Sequence, residues 1–311
     1  MTPASAPRIA VFGSINMDLV AYVDAAPASG ETVTGTEFRQ IPGGKGANQA
    51  LAAARAGGDV VFLGAVGDDA FGTQLRTTLV ESGIEVSGLR LANGASGVAH
   101  IVVEGDGANS IIVIPGANGT VTGLEEDDVP LLEGSAALLL QLELPMKGVI
   151  AAARAGRAAG VPTVLTPAPA PQPLGPASAP PLPDELLGNI DLLVPNQHEA
   201  AALTGHRDPE EALAALLERV PEVLITLGEA GSLYGSRGSA PVRVPARQVA
   251  AVDTTAAGDT FCGAFVVARA EGRDPEQASR FAAAAASLAV QRHGASTSMP
   301  TRAEIDEVLA G

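Results

Sequence analysis

Short, mostly apolar runs return at intervals along the chain, at 9–12, 60–65, 137–142, 163–166, 191–194 and 223–227, with longer alanine-rich stretches of helical character between them. Such runs predict strands buried on both faces, and their alternation with helices is a βαβ rhythm. The expected architecture is a doubly wound α/β fold, a mostly parallel sheet flanked by helices on both sides. Two stretches break the rhythm. Residues 18–40 and 97–114 read as hairpin strands instead; in the second, the apolar runs 98–103 and 110–114 flank a polar turn at 104–109. They predict a small antiparallel β appendage on a single 1–311 domain. Residues 167–183 (PAPAPQPLGPASAPPLP) are proline-rich and low in complexity, and are expected to form an exposed surface insert.

Composition narrows the class. With 46% hydrophobic and 17% charged residues over 311 positions, the chain can bury a large core. Its 35 acidic against 19 basic residues give a net charge of −16, which repels nucleic acid and anionic membranes and leaves small molecules as the expected partners. The longest apolar run, 281–290, is about half the ~20 residues that a membrane span needs. The opening MTPASAP lacks a cationic start and a long apolar run, so it reads as a tail rather than a signal peptide. A single cysteine, Cys262, excludes an intrachain disulfide and a multi-cysteine zinc site. A cytoplasmic protein is expected.

The segment carrying the most chemistry is Asp253-Thr254-Thr255-Ala256-Ala257-Gly258-Asp259, just ahead of the apolar helical stretch 261–270. Small residues let main-chain amides approach an anion, the helix that follows points its positive end at the same spot, and Asp259 adds a carboxylate beside it. That pairing suits phosphorylation of a hydroxyl: Asp259 would take the proton while the amides of Ala256, Ala257 and Gly258 hold the charge growing on the phosphoryl group. The plainer reading of Asp259 is an N-cap, worth only ~1 kcal/mol.

Other polar groups stand where ligands of α/β proteins collect. Asn16 and Asp18 follow the first strand and share a side, and Glu143 closes the apolar run 136–142, an expensive place for an unengaged carboxylate. Three glycines surround Lys45 in Pro42-Gly43-Gly44-Lys45-Gly46-Ala47-Asn48-Gln49-Ala50, ahead of a helix expected to begin near Asn48. Gly46 stands where a Walker loop needs Ser or Thr, so this is not one. Asn196 and Glu199 lie one turn apart after another strand, His198 between them reads as a surface residue, and Thr226, Gly228 and Gly231 form a tight turn.

These two blocks, with Gly57 and Gly67 following the first at the expected intervals, resemble the signatures of the ribokinase-like family of sugar kinases, which includes the minor phosphofructokinase and adenosine kinases. The resemblance spans nearly the whole chain, through Gly13-Ser14-Ile15-Asn16-Met17-Asp18, residues 27–35 (PASGETVTG), Gln141-Leu142-Glu143 and Thr226-Leu227-Gly228-Glu229-Ala230-Gly231. It implies transfer of the ATP γ-phosphoryl group to the 5-hydroxyl of D-ribose, with Asp259 as base and Asn16, Asp18, Gly43, Gly44, Lys45, Asn48 and Glu143 on the sugar. It implies ATP at Thr226, Gly228, Gly231 and Gly258, with Asn196 and Glu199 organising Mg²⁺ and phosphates through water. It further implies K⁺ held by Asp253 with Thr255, Ala289, Arg292, Gly294 and Ser298, and a homodimer formed through the lid at about 18–40 and 97–114. Selectivity would then rest on lid residues such as His100 and Ile112. The alternatives are a family kinase acting on a nucleoside, deoxyribose or fructose, or a sugar-binding regulator without turnover. Two positions depart from the family pattern: Thr166 and Cys262 each stand where members often carry Asn, and Cys262, one turn past Asp259, implies sensitivity to oxidation.

Overall fold

The computed structural model describes residues 6–170 and 182–311, so most of the proline-rich stretch 167–183 lies outside the described residues. In chain order the first half holds β1 (Arg8–Phe12), β2 (Asn16–Tyr22), β3 (Glu37–Gly43), α1 (Lys45–Arg55), β4 (Asp59–Gly67), α2 (Ala70–Glu81), β5 (Leu89–Ala92), β6 (Gly97–Val103), β7 (Asn109–Ile114) and α3 (Val129–Leu132). Then come β8 (Ala137–Leu140), α4 (Met146–Ala159), β9 (Thr163–Leu165), α5 (Asp184–Leu187), β10 (Leu192–Leu193), α6 (Gln197–Thr204), α7 (Pro209–Leu217) and β11 (Glu222–Thr226). The chain closes with β12 (Ser232–Ser236), β13 (Val242–Val244), α8 (Ala257–Ala270), α9 (Pro275–Ala289) and α10 (Arg302–Ala310).

Nine strands form the main sheet in the order β13-β12-β11-β10-β9-β8-β1-β4-β5. From β11 to β5 the pairings are parallel, and β12 and β13 complete one edge antiparallel. Alternate residues of the central strands feed two separate cores: Ile9, Val11, Phe62 and Leu139 pack with α1, α8 and α9 on one face, and Ala10, Phe12, Leu63 and Leu138 with α4 and α7 on the other. This two-sided burial is why the strands read as continuous apolar runs. Fully burying a side chain such as Phe12 or Phe62 contributes about 1.5–3 kcal/mol.

A second sheet, β3-β2-β6-β7, stands apart from the first. Its two hairpin pairs, β2–β3 and β6–β7, are antiparallel, and β2 joins β6 in parallel along Asn16↔Gly97 to Tyr22↔Val103. The first lid hairpin starts earlier and ends later than the expected 18–40, so Asn16 and Asp18 lie on β2 of this lid rather than at the end of β1, while β6 and β7 stay within the expected 97–114.

Helix α1 begins at Lys45, ahead of Asn48, because Gly44 at its N-cap adopts φ 92°, a left-handed conformation that only glycine takes freely. The same α1 packs tightly on α8. A Cβ on Gly263 would come within 2.7 Å of the Ala52 side chain and 2.8 Å of the Gln49 carbonyl, so the missing side chain lets the two helices approach.

Candidate active site

The groups expected on the sugar converge where the lid meets the main sheet. Asn16 is buried, its Oδ1 accepting from Asn118 Nδ2 at 2.8 Å, while Asn118 also accepts from Ile15 N at 3.1 Å and donates to Ile15 O at 3.0 Å. With its oxygen so engaged, Asn16 keeps its amide N–H groups for a ligand. Asp18 abuts Gly43, where a Cβ would lie 2.2 Å from Asp18 Oδ2. Glu143 Oε2 accepts from Ser14 Oγ at 2.6 Å and from Lys45 N at 2.9 Å, which answers the cost of placing it after an apolar strand. Asn48 is buried, and its Oδ1 has no partner among the described residues.

Electrostatics tie these groups together. Burial, with Glu143 nearby, pushes the Asp18 carboxyl up to about 7, against the pull of Lys45. Burial disfavours the charge on Lys45, yet Asp259, Glu143, Glu199 and Asp18 outweigh it and hold the ammonium above its usual value.

Asp259 lies in the first turn of α8 rather than at its N-cap. Ala256 holds the cap position at φ 56°, a left-handed conformation unusual for a residue with a Cβ, and no side chain caps the helix. Of the small-residue amides, that of Ala257 is already given to Thr254 O at 3.2 Å, whereas those of Ala256, Gly258 and Asp259 take no partner among the described residues. Burial raises the Asp259 carboxyl, and Glu143 adds to it; Lys45 and the amides of Gln49 and Asn48 oppose the rise.

Beside this turn opens a cavity of about 470 Å³ lined by Thr226, Gly228, Gly231, Ala257, Gly258 and Phe261. Its remaining wall, including Arg247, Val249, Ala286 and Val290, carries no motif and was not foreseen. Asn196 is bridged to Thr226 at the rim. Asn196 and Glu199 form a reciprocal cap on α6: Asn196 Oδ1 accepts from His198 N and Glu199 N at 2.9 and 2.8 Å, and Glu199 Oε2 accepts from Asn196 N at 2.8 Å. Burial raises the Glu199 carboxyl, with Asp259 adding to it and Asn196 N–H and Lys45 opposing. His198 is exposed.

Asp253 ties the cradle to the loop after α9. Its Oδ1 accepts from Thr255 N and its Oδ2 from Gly294 N, both at 2.9 Å; these bonds hold its carboxyl low although burial works the other way. Ala289 O accepts from Arg292 N at 3.1 Å, Arg292 pairs with Glu304, and Ser298 Oγ donates to Ala295 O at 2.8 Å.

Two expectations change. His100 and Ile112 are register partners of each other, and His100 pairs with Leu19, so they lie on the lid face opposite Asp18; Ala99 and Val113 share the Asp18 face. Cys262 is fully buried, and burial followed by the nearby Asp259 drives its thiol far up, so it is not positioned to react with oxidants. Sequence reasoning assigned no role to Ser14, Gln49, Asn118 or Gln141, whose partners lie far away in the chain. The visible signals were Gln49 inside a glycine-rich block and Gln141 inside an apolar run.

A sequence profile of the pfkB family carbohydrate kinases matches residues 6–302. The chain is similar to the ribokinase of Bacillus subtilis (strain 168), 42% identical over 305 residues, which is 97% of this chain and 99% of that protein. It is also similar to a deoxyribokinase of Salmonella typhi, 34% identical over 310 residues, covering 97% of this chain and 98% of that one. Among solved structures, Arabidopsis thaliana ribokinase complexed with ribose and ATP matches with a TM-score of 0.91 at 36% identity, covering 98% of this chain and 99% of the other.

Proposed function

The chain belongs to the pfkB family of carbohydrate kinases, and from that premise we propose that it transfers the γ-phosphoryl group of ATP to the 5-hydroxyl of D-ribose. One observation carries the reading: Asp259 stands between the sugar-side groups Lys45, Asn48 and Glu143 and the cavity edged by Gly258. ATP occupies that cavity, whose size suits a nucleotide. Asp259 takes the proton of the 5-hydroxyl as its oxygen bonds to the γ-phosphorus, the bond to the β–γ bridging oxygen breaks, and ADP leaves. The free amides at the start of α8 and the Lys45 ammonium face the charge that spreads over the transferring group.

Mg²⁺ would neutralise phosphate charge, held mainly by ATP and water, with Glu199 binding it through water; among the described residues no group of three or more His, Cys, Asp or Glu forms a protein cage for it. A K⁺ ion would draw on the ionised Asp253 and on oxygens of Thr255, Ala289, Arg292, Gly294 and Ser298, a hard-donor set that suits it; of these, Thr255 and Gly294 are tied to Asp253 through their main-chain N–H groups. No helix among the described residues is long and apolar enough to cross a membrane.

Ribose is preferred because Asn16, Asp18, Asn48 and Glu143 give partners to several hydroxyls, and a hydroxyl that is missing leaves a buried group unpaired. That costs ~1–3 kcal/mol, on the order of ten to a hundredfold in kcat/KM. The deoxyribokinase relative makes 2-deoxyribose the second reading. An ADP-release assay with ribose, 2-deoxyribose, fructose and a nucleoside at saturating ATP tests this, and a higher kcat/KM for any of the other three overturns the preference for ribose.

A further inference from the structure

A chain of buried carboxamides ends on Asp259, and neither sugar nor nucleotide binding calls for it. Gln49, wholly buried on α1, donates through Nε2 to Asp259 Oδ1 at 2.9 Å and to Thr166 Oγ1 at 2.9 Å. Its Oε1 in turn accepts from Gln141 Nε2 at 2.7 Å, and Thr166 passes its own proton to Leu140 O at 3.3 Å. These contacts fix which way the Gln49 amide faces. If the amide turned over, its oxygen would face the Asp259 carboxylate, which can only accept, and its NH₂ would meet the Gln141 donor, so one orientation satisfies these neighbours. The orientation is anchored at the ends of β8 and β9 in the main sheet and reaches Asp259 across the tight α1–α8 contact at Gly263.

We propose that Gln49 is a positioning residue that holds the Asp259 carboxylate in its catalytic orientation and keeps it ionised, with Gln141 and Thr166 locking the Gln49 amide. The proposal rests on the reading of Asp259 as base. Asp259 is a carboxylate whose proton affinity depends on all the groups facing it: Lys45 from α1 favours the charge, Glu143 after β8 and Glu199 on α6 oppose it, and the Cys262 thiol stays neutral beneath it. The Gln49 donor acts in the same sense as Lys45. Losing it leaves burial less opposed, so the carboxylate titrates at higher pH and the acid limb of turnover moves up.

The test is the pH profile of kcat with ribose for wild-type protein, Gln49→Leu, Gln49→Glu and Gln141→Leu. Gln49→Leu is expected to lower kcat about tenfold at neutral pH and to shift the acid limb upward by about one unit, with the KM for ATP within about twofold of wild type. Gln49→Glu keeps the size and the acceptor for Gln141 but presents oxygen to Asp259, so it should lose at least as much. Gln141→Leu takes the donor from the Gln49 oxygen and loosens the amide without removing its bond to Asp259, giving a smaller shift in the same direction; it provides the decision if Gln49→Leu does not fold. Activity lost with the acid limb unmoved, or wild-type turnover in Gln49→Glu, overturns the proposal. Asp259→Asn separates the two claims. If it retains most of kcat, the base reading falls and the positioning role with it; if it is inactive while the Gln49 and Gln141 profiles stay in place, the positioning role alone fails.

Discussion

At the scale of single residues, Asp259 and Asp18 are carboxylates with different duties. Burial raises Asp259, and the nearby Lys45 and the Gln49 and Asn48 amides hold it toward ionisation, as a base needs. Asp259→Asn should keep ATP and ribose binding near wild type while lowering kcat by at least ~10²-fold, and a variant retaining more than about half of wild-type kcat, with chemistry rate-limiting, would exclude that role. Asp18 is raised to about 7, from an ordinary 3.8. Between those values the folded protein binds the proton and the unfolded chain does not, so stability falls as pH rises through this window and stays lower above about 7. Asp18→Asn should therefore raise the thermal midpoint at pH 8, by an amount equivalent to about 1–3 kcal/mol after allowing for solvent screening, and change it little near pH 4. Equal effects at the two pH values would mean that the carboxyl carries no such burden. The same carboxylate should weaken ribose binding as it protonates below about 7, so the stability cost belongs to the sugar site.

At the scale of elements, β1, β4 and β8 to β11 of the main sheet could be read from the sequence because burial on both faces leaves apolar runs that need no partner to be recognised, whereas β5, β12 and β13, toward the two ends of the sheet, carry no such run and were not foreseen. The glycine-rich start of α1 was read late because the cap is a backbone conformation at Gly44 rather than a side-chain signal. The places of Gln49 and Gln141 were marked in the sequence but their partners were not: their bonds join positions 210 and 92 apart, and only the packing of α1 against α8 and β8 brings them together. The lid's hairpins were foreseen, but the side each residue faces was not, because a register shift of one residue exchanges the faces and the register follows from pairing. The link from Asp253 to Gly294 is of the same kind, local at one end and distant at the other. A cation there would fix the amides at the start of α8 rather than join the chemistry. Turnover in buffer whose only cation is bulky and organic should be well below that in K⁺, and Asp253→Ala should erase the difference; equal rates in both buffers would remove K⁺ from the account.

At the scale of the whole molecule, the lid is the part least satisfied by its own chain. Strand β7 is exposed along its whole length, with Ile112 at 66% and Ile114 at 46%, and Phe38 on β3 at 59%. The pairings put Phe38, Ile112 and Ile114 on the face opposite Asp18, an apolar surface ending in unpaired sheet edges. Such a face is a liability for a monomer and suits a second copy of the lid, so we expect a homodimer. Each chain carries −16, and two copies repel at long range; salt screens this repulsion and leaves apolar burial untouched, so the dimer should tighten as ionic strength rises. Sedimentation at micromolar protein should show twice the chain mass. Ile112→Glu, on the face away from the sugar groups, should yield a monomer that still folds and still binds ATP. A monomeric wild type, or a dimer unaffected by the new charge, would place the interface elsewhere or nowhere. If the lid closes over ribose, strands held by a partner are less free to move, so loss of the dimer should change the KM for ribose more than it lowers kcat, and equal kinetics in monomer and dimer would separate closure from assembly.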